Sequence, residues 1–142
     1  GHPYNLYVGR GIYSPHVWSG DGRSQLSKKK NVKPLSKLKA FNSIMKTDIG
    51  EYQFKGDKTN QHFATIVIDD VHKGNPQWRT PKAFTSMNMT RRNDSSMIGY
   101  LIKTVQYQQD EIKDLKDEND KLKSKMSDFE ERLKKLEEQH KD

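Results

Sequence analysis

Residues 98–140 carry an unbroken heptad repeat, and that repeat constrains this chain more than any other feature. With Ile98 at position a, the a sites are Ile98, Val105, Ile112, Asn119, Met126, Leu133 and His140. The d sites are Leu101, Gln108, Leu115, Leu122, Phe129 and Leu136. Ten of these thirteen sites are apolar, and the intervening b, c and f sites are nearly all polar, so the period is that of a coiled coil. A helix over this stretch would be about 65 Å long at 1.5 Å per residue. Alone in water it would expose its apolar seam, so association with a second helix is expected.

Asn119 sharpens the expectation. An Asn at a central a position bonds its symmetry mate only between parallel, in-register chains, and it costs stability while excluding other pairings. Val105 and Ile112 at a, with Leu115 and Leu122 at d, point the same way. The charges form an independent test, because in a parallel pair each g residue faces e of the partner's next heptad. Glu111 meets Lys116, Glu118 meets Lys123, Lys125 meets Glu130 and Arg132 meets Glu137, all opposite in sign. Each pair contributes only a few tenths of a kcal/mol in water, but together they favour a parallel homodimer. A solvated single helix, an antiparallel or trimeric coil and a heterodimer are the alternatives, and Gln108 and Phe129 at d are imperfect fits. The predicted dimer interface is Ile98, Leu101, Val105, Ile112, Leu115, Asn119, Leu122, Met126, Phe129, Leu133 and Leu136.

The coil alone generally resembles a leucine zipper. A zipper transcription factor carries a continuous basic helix before its coil, whereas residues 84–96 hold only Arg91 and Arg92. That departure argues against zipper-type DNA binding.

Composition divides the chain. Hydrophobic residues make up 31% of the 142 and charged residues 32%, with a net charge of +7. That is too little apolar material for one well-filled core. Residues 1–96 hold 16 Lys and Arg against 7 Asp and Glu, whereas residues 97–142 hold 10 against 12. The +7 is therefore a +9 module joined to a −2 rod. All five Pro and all but one of the nine Gly precede position 97. The reading is an α+β fold: a basic, β-rich module over residues 1–72, an irregular connection over 73–96 and a dimeric coil over 97–142. Asn93, Asp94, Ser95 and Ser96 offer side-chain oxygens suited to capping the long helix.

Within the module, residues 4–13 read as a β-hairpin around Gly9 and Gly11, and residues 19–33 as a mobile Lys/Gly/Ser loop. After Pro34, the apolar residues Leu35, Leu38, Phe41 and Met45 recur at helical spacing. Residues 51–54 and 62–71 read as strands joined by a polar turn. No apolar run approaches the length of a membrane span, and a secretory h-region is missing from the N-terminus. The absence of Cys excludes disulfides and thiol chemistry and favours an intracellular setting, cytoplasmic or nuclear. A first residue of Gly rather than Met suggests a fragment, a processed product or a cloning scar.

Several stretches imitate catalytic motifs. Thr65 to Asp70 looks like a strand delivering acidic Mg²⁺ ligands, but a phosphate loop and its helix have no room before it. His62, Asp69, Asp70 and His72 do not alternate correctly for one ion. We therefore expect no enzyme, no cofactor, no metal and no small-molecule substrate. The better lead is charge. Arg23, Lys28, Lys29, Lys30, Lys33, Lys37, Lys39 and Lys46 lie in one stretch without Asp or Glu, a footprint for phosphates. Tyr13 and Trp18 are candidates to stack on unpaired bases. Equally, tyrosines serve in cores and lysines merely solubilise. Two function classes follow. In one, a homodimer presents paired basic modules to an anionic partner, nucleic acid first. In the other, an assembly or adaptor protein docks through coil and module onto an acidic protein lattice such as a capsid or cytoskeletal filament.

Overall fold

The structure, a computed structural model, describes residues 22–141. It is α+β: a small β-containing region precedes one long C-terminal helix. The hairpin expected at residues 4–13 lies outside the described residues.

Residues 22–36 run along the surface, exposed except for the half-buried Leu35, with a single 3-10 turn at Leu26–Lys28. The first helix, α1 (Lys37–Met45), starts at Ser36, whose Oγ accepts a hydrogen bond from the Lys39 amide at 3.2 Å. That cap satisfies one of the amides a helix start leaves open. Strands β1 (Ile49–Tyr52) and β2 (Phe63–Ile66) then pair antiparallel, with Ile49 opposite Ile66 and Tyr52 opposite Phe63. Their connection turns at Gly56, where φ is +83°, and is tied by Asp57, which accepts from the Thr59 amide and hydroxyl at 2.8 and 2.7 Å. Gly50 in β1 is required by packing. A Cβ there would stand 2.7 Å from Val67 Cγ2 and 3.0 Å from the Trp78 ring.

The segment between β2 and the long helix, expected to lack regular structure, contains a second, shorter hairpin. Strands β3 (Thr85–Ser86) and β4 (Arg91–Arg92) pair antiparallel. Met87, Asn88 and Met89 at its tip all have positive φ, between 52° and 65°, a conformation that is uncommon outside glycine. A 3-10 turn at Lys82–Phe84 leads into it. Strands of two residues are too short to carry a sequence period, so no pattern announces them.

The long helix, α2, spans Asp94–Gln139 and is 46 residues long, about 69 Å at 1.5 Å per residue. Asn93 caps it, its side chain accepting from the Ser96 amide at 3.1 Å. Tyr100, Thr104 and Tyr107 recur at helical spacing and form the face on which the module rests. Phe84, 1% exposed, meets Tyr100 edge-to-face with ring centroids 5.0 Å apart. Phe41 of α1 lies 4.7 Å from the Tyr107 ring, and Lys37 Nζ bonds Asp110 at 2.9 Å. Ala40 is fully buried, its small side chain suited to close approach of α1 and α2.

The apolar stripe expected on α1 is therefore rotated. Ala40 is at its buried centre, while Leu38 and Met45 are 52% and 62% exposed. Among the described residues only Ala40, Gly50, Ile66, Phe84 and Thr104 are buried, a thin core in keeping with the low hydrophobic content. Thr104 Oγ1 is buried without a hydrogen-bond partner among the described residues, which carries a desolvation penalty. Two substitutions separate these contributions in urea unfolding at fixed protein concentration. Phe84→Ala should cost roughly 3–5 kcal/mol by opening a cavity, whereas Thr104→Val, close in shape, should be neutral or stabilising.

Candidate interaction surfaces

Helix α2 has two separate working faces. The module covers Tyr100, Thr104 and Tyr107, which fall at heptad positions c and g. The a/d seam lies roughly a third of a turn away at 100° per residue, and it stays exposed even where Phe41 reaches its edge beside Gln108 and Ile112. Its apolar side chains are all open, from 44% exposed at Ile112 to 64% at Met126. Ile98, Leu101, Val105, Leu115, Leu122, Phe129, Leu133 and Leu136 fall between those values, and Asn119 is exposed with them. A row of large apolar side chains along one line of a helix is an exposed patch of the kind that marks an interaction site. Near its start, Phe41 and Tyr107 join Gln108, Glu111 and Ile112 around a hollow of about 530 Å³.

The basic residues divide by role. Arg23, Lys28, Lys29, Lys30 and Lys33 lie in the exposed surface-running segment, where Lys29 Nζ reaches Ser24 Oγ at 2.6 Å. Lys39 and Lys46 are exposed at α1 and just beyond its end. Lys37 is paired to Asp110 and so helps to hold α1 on α2. The stacking candidates Tyr13 and Trp18 lie outside the described residues.

A different set of aromatics, not singled out by the sequence pattern, gathers beside arginine. Tyr52, Phe54 and Phe63 form a cluster with ring centroids 5.3 to 5.8 Å apart. Tyr52 and Phe54 line one side of a groove of about 630 Å³, with Thr65 to Ile68 along its floor and Thr90, Arg91 and Arg92 opposite. Phe54 is 57% exposed. Arg92 Nε bonds Asp94 at 3.1 Å, and Arg91 is exposed. A signal existed in the alternation of Tyr52, Phe54 and Phe63 with polar neighbours. Their proximity to residues 90–92, however, is set by how the two hairpins pack, which no local pattern reveals.

The acidic residues that imitate a metal site have structural work. Asp69 turns into its own loop, its side chain only 3% exposed. It accepts from the amides of Val71, His72 and Gln77 at 2.7 to 3.1 Å and faces His72 Nδ1. These bonds, those from the His72 and Gln77 amides foremost, hold its carboxyl far below the usual carboxylate range. Asp48 receives the Arg79 guanidinium at two oxygens, 3.0 and 3.1 Å, and the Arg79 amide at 2.8 Å. The Arg79 side chain is the main cause of its lowered pKa. Among the described residues no group of three or more His, Cys, Asp or Glu is placed to hold a metal ion, and no helix is long and apolar enough to cross a membrane.

No known protein-family model, curated protein or solved structure matches the chain.

Asp69 yields a pH prediction whose sign is fixed by its depressed pKa. The stabilisation is present above the unfolded value of about 3.9 and is lost as pH falls towards the lower folded value. Thermal unfolding followed from pH 7 to pH 2 should show the midpoint declining below about pH 4. Asp69→Asn should start lower at pH 7 and show a shallower acid decline, because its amide cannot take up that proton.

Proposed function

We propose that this chain is a non-enzymatic, parallel homodimer that presents two basic modules at one end of a coiled-coil rod to an anionic partner, nucleic acid foremost. The observation that carries the reading is the continuous, exposed a/d seam on a helix whose other apolar face is already occupied. From Leu115 to Leu136 every seam residue is exposed, and a second helix can lie along that stretch without displacing the module on Tyr100, Thr104 and Tyr107. The seam's contents support a parallel, in-register arrangement: Asn119 at a, and complementary charge at all four e/g pairs from Glu111 to Glu137. A parallel coil brings both modules to the same end, and two linked weak sites then gain affinity through effective concentration. The lysines at 28, 29, 30, 33 and 39 remain exposed, so their charge is available to phosphates.

Two measurements test this separately. In sedimentation equilibrium at tens of micromolar the chain should be a dimer, and Leu115→Glu, which places a charge in the seam of each helix, should make it a monomer. Asn119→Leu should keep or raise thermal stability while broadening the oligomer distribution. A monomeric unmodified chain overturns the dimer.

For the partner, affinity for duplex or single-stranded DNA should fall linearly in log–log form with salt. Replacing Lys28, Lys29 and Lys30 by Gln should reduce that slope by about one for each phosphate no longer neutralised. No detectable binding at low salt overturns the nucleic-acid reading.

A further inference from the structure

We propose that the groove between the β1–β2 hairpin and β4 is a binding site for single-stranded nucleic acid, in which an unpaired base stacks on Phe54 and the adjoining phosphate is held by Arg91. The proposal rests on the polyanion reading above and names a site and a strand class which that reading leaves open.

Three features of the groove converge. First, it offers an aromatic platform. Phe54 sits edge-on to Tyr52, at 5.3 Å and 84°, and is braced by Phe63 at 5.4 Å, yet more than half of its surface remains open. A ring held in place by its neighbours with more than half of its surface open is what base stacking uses, and stacking tolerates any base because every base has a π-face. Second, the opposite wall is cationic. Arg92 is engaged by Asp94, which neutralises it and fixes its position. Arg91, its neighbour on β4, lines the same groove and forms no ion pair among the described residues. A planar guanidinium makes paired hydrogen bonds to phosphate oxygens. Third, the cavity of about 630 Å³ lies in the roughly 300–1,000 Å³ range of sites that hold one small-molecule-sized unit.

Strand class follows from the platform. In a duplex both faces of each base are covered by its neighbours, so Phe54 can take only a base that is unpaired or flipped out. The exposed lysines at 28, 29, 30 and 33 make no such distinction, since charge contacts to phosphate carry no information about base pairing. The groove therefore adds a preference for single strands to a sequence-independent electrostatic attraction.

The test is fluorescence anisotropy of the full chain with a labelled oligo(dT) and with a duplex of equal length, at low salt. Phe54→Ala should weaken oligo(dT) binding by roughly 5- to 150-fold, as expected when one stacked ring is removed, and leave duplex affinity unchanged. Phe54→Trp should retain single-strand affinity. Arg91→Gln, at an exposed position, should weaken oligo(dT) binding and reduce its log–log salt slope by about 0.7. Far-UV circular dichroism confirms that each variant is folded, and if Phe54→Ala unfolds, Phe54→Leu and Arg91→Gln decide the matter. Unchanged oligo(dT) affinity in the folded Phe54 and Arg91 variants, with binding abolished on replacing Lys28, Lys29 and Lys30, overturns the groove and leaves the polyanion reading standing. Absence of binding by the unmodified chain overturns both.

Discussion

The docking of the module on the Tyr100, Thr104 and Tyr107 face of α2 is the constraint on which the rest of the structure depends. Neither partner has enough apolar surface to fold well alone. A two-stranded hairpin is marginal in water by itself, and a nine-residue helix such as α1 is too short to persist unsupported. On α2 they share a support. Phe84 fixes the second hairpin through Tyr100, and Ala40 with Phe41 fixes α1 near Tyr107. The Asp48–Arg79 clamp joins the end of α1 and the start of β1 to the loop before Phe84, so both attachments act on one body.

That docking also leaves the seam open. A helix has room for two apolar stripes if their centres are well separated around its axis, and here one is short and the other long. The short stripe, on c and g, ends near Asp110, where Lys37 closes it. The long stripe, on a and d, runs on to Leu136 and has no cover among the described residues. Beyond about residue 112 every described position of the helix is exposed. An isolated stretch this polar is not expected to hold a single helical state without a second helix beside it. In the proposed dimer the same seam supports the free end and continues beneath the modules, coupling their position to the coil.

How much of this could be read from residues depends on the range of the interaction. The seam was legible because a heptad repeat is a local pattern sustained over many turns. The start of α2, narrowed to the capping candidates at residues 93–96, and the polar turn between the first two strands were legible because their chemistry is confined to a few neighbouring residues. The stripe on α1 differs from its sequence pattern because Leu38 and Met45 are larger than Ala40, and size is the usual sign of burial. Close helix–helix approach inverts that rule by favouring the smallest side chain. The c/g face of α2 is hidden for a related reason: Tyr100 and Tyr107 look amphipathic enough to be solvent-facing, and Thr104 is polar. The groove at Tyr52, Phe54 and Arg91 joins residues far apart in the chain, so only the tertiary arrangement brings it together.

The placement of charge separates groups that hold the fold from groups left available. Four acidic residues of the basic region are committed to folding: Asp48 to Arg79, Asp57 to Thr59, Asp69 to three loop amides and Asp94 to Arg92. Asp48 and Asp94 are neutralised by their arginines, whereas Asp57 and Asp69, held by neutral donors, keep their negative charge. The cations divide by geometry. Arginine, with a rigid planar fork suited to a carboxylate, makes the clamps at 79 and 92. Lysine, a flexible and strongly hydrated point charge, remains in solvent along residues 28–33 and at Lys39. Lys37, paired to Asp110, departs from this division, and so does Arg91. It is an arginine without an ion pair among the described residues, it stands beside a clamped one, and it lines a groove that an exposed aromatic ring also lines. A solubilising role would be served as well by lysine in any orientation. A fork held on a strand opposite Phe54 is suited to a planar, anionic ligand, and that combination separates this groove from the diffuse charge around it.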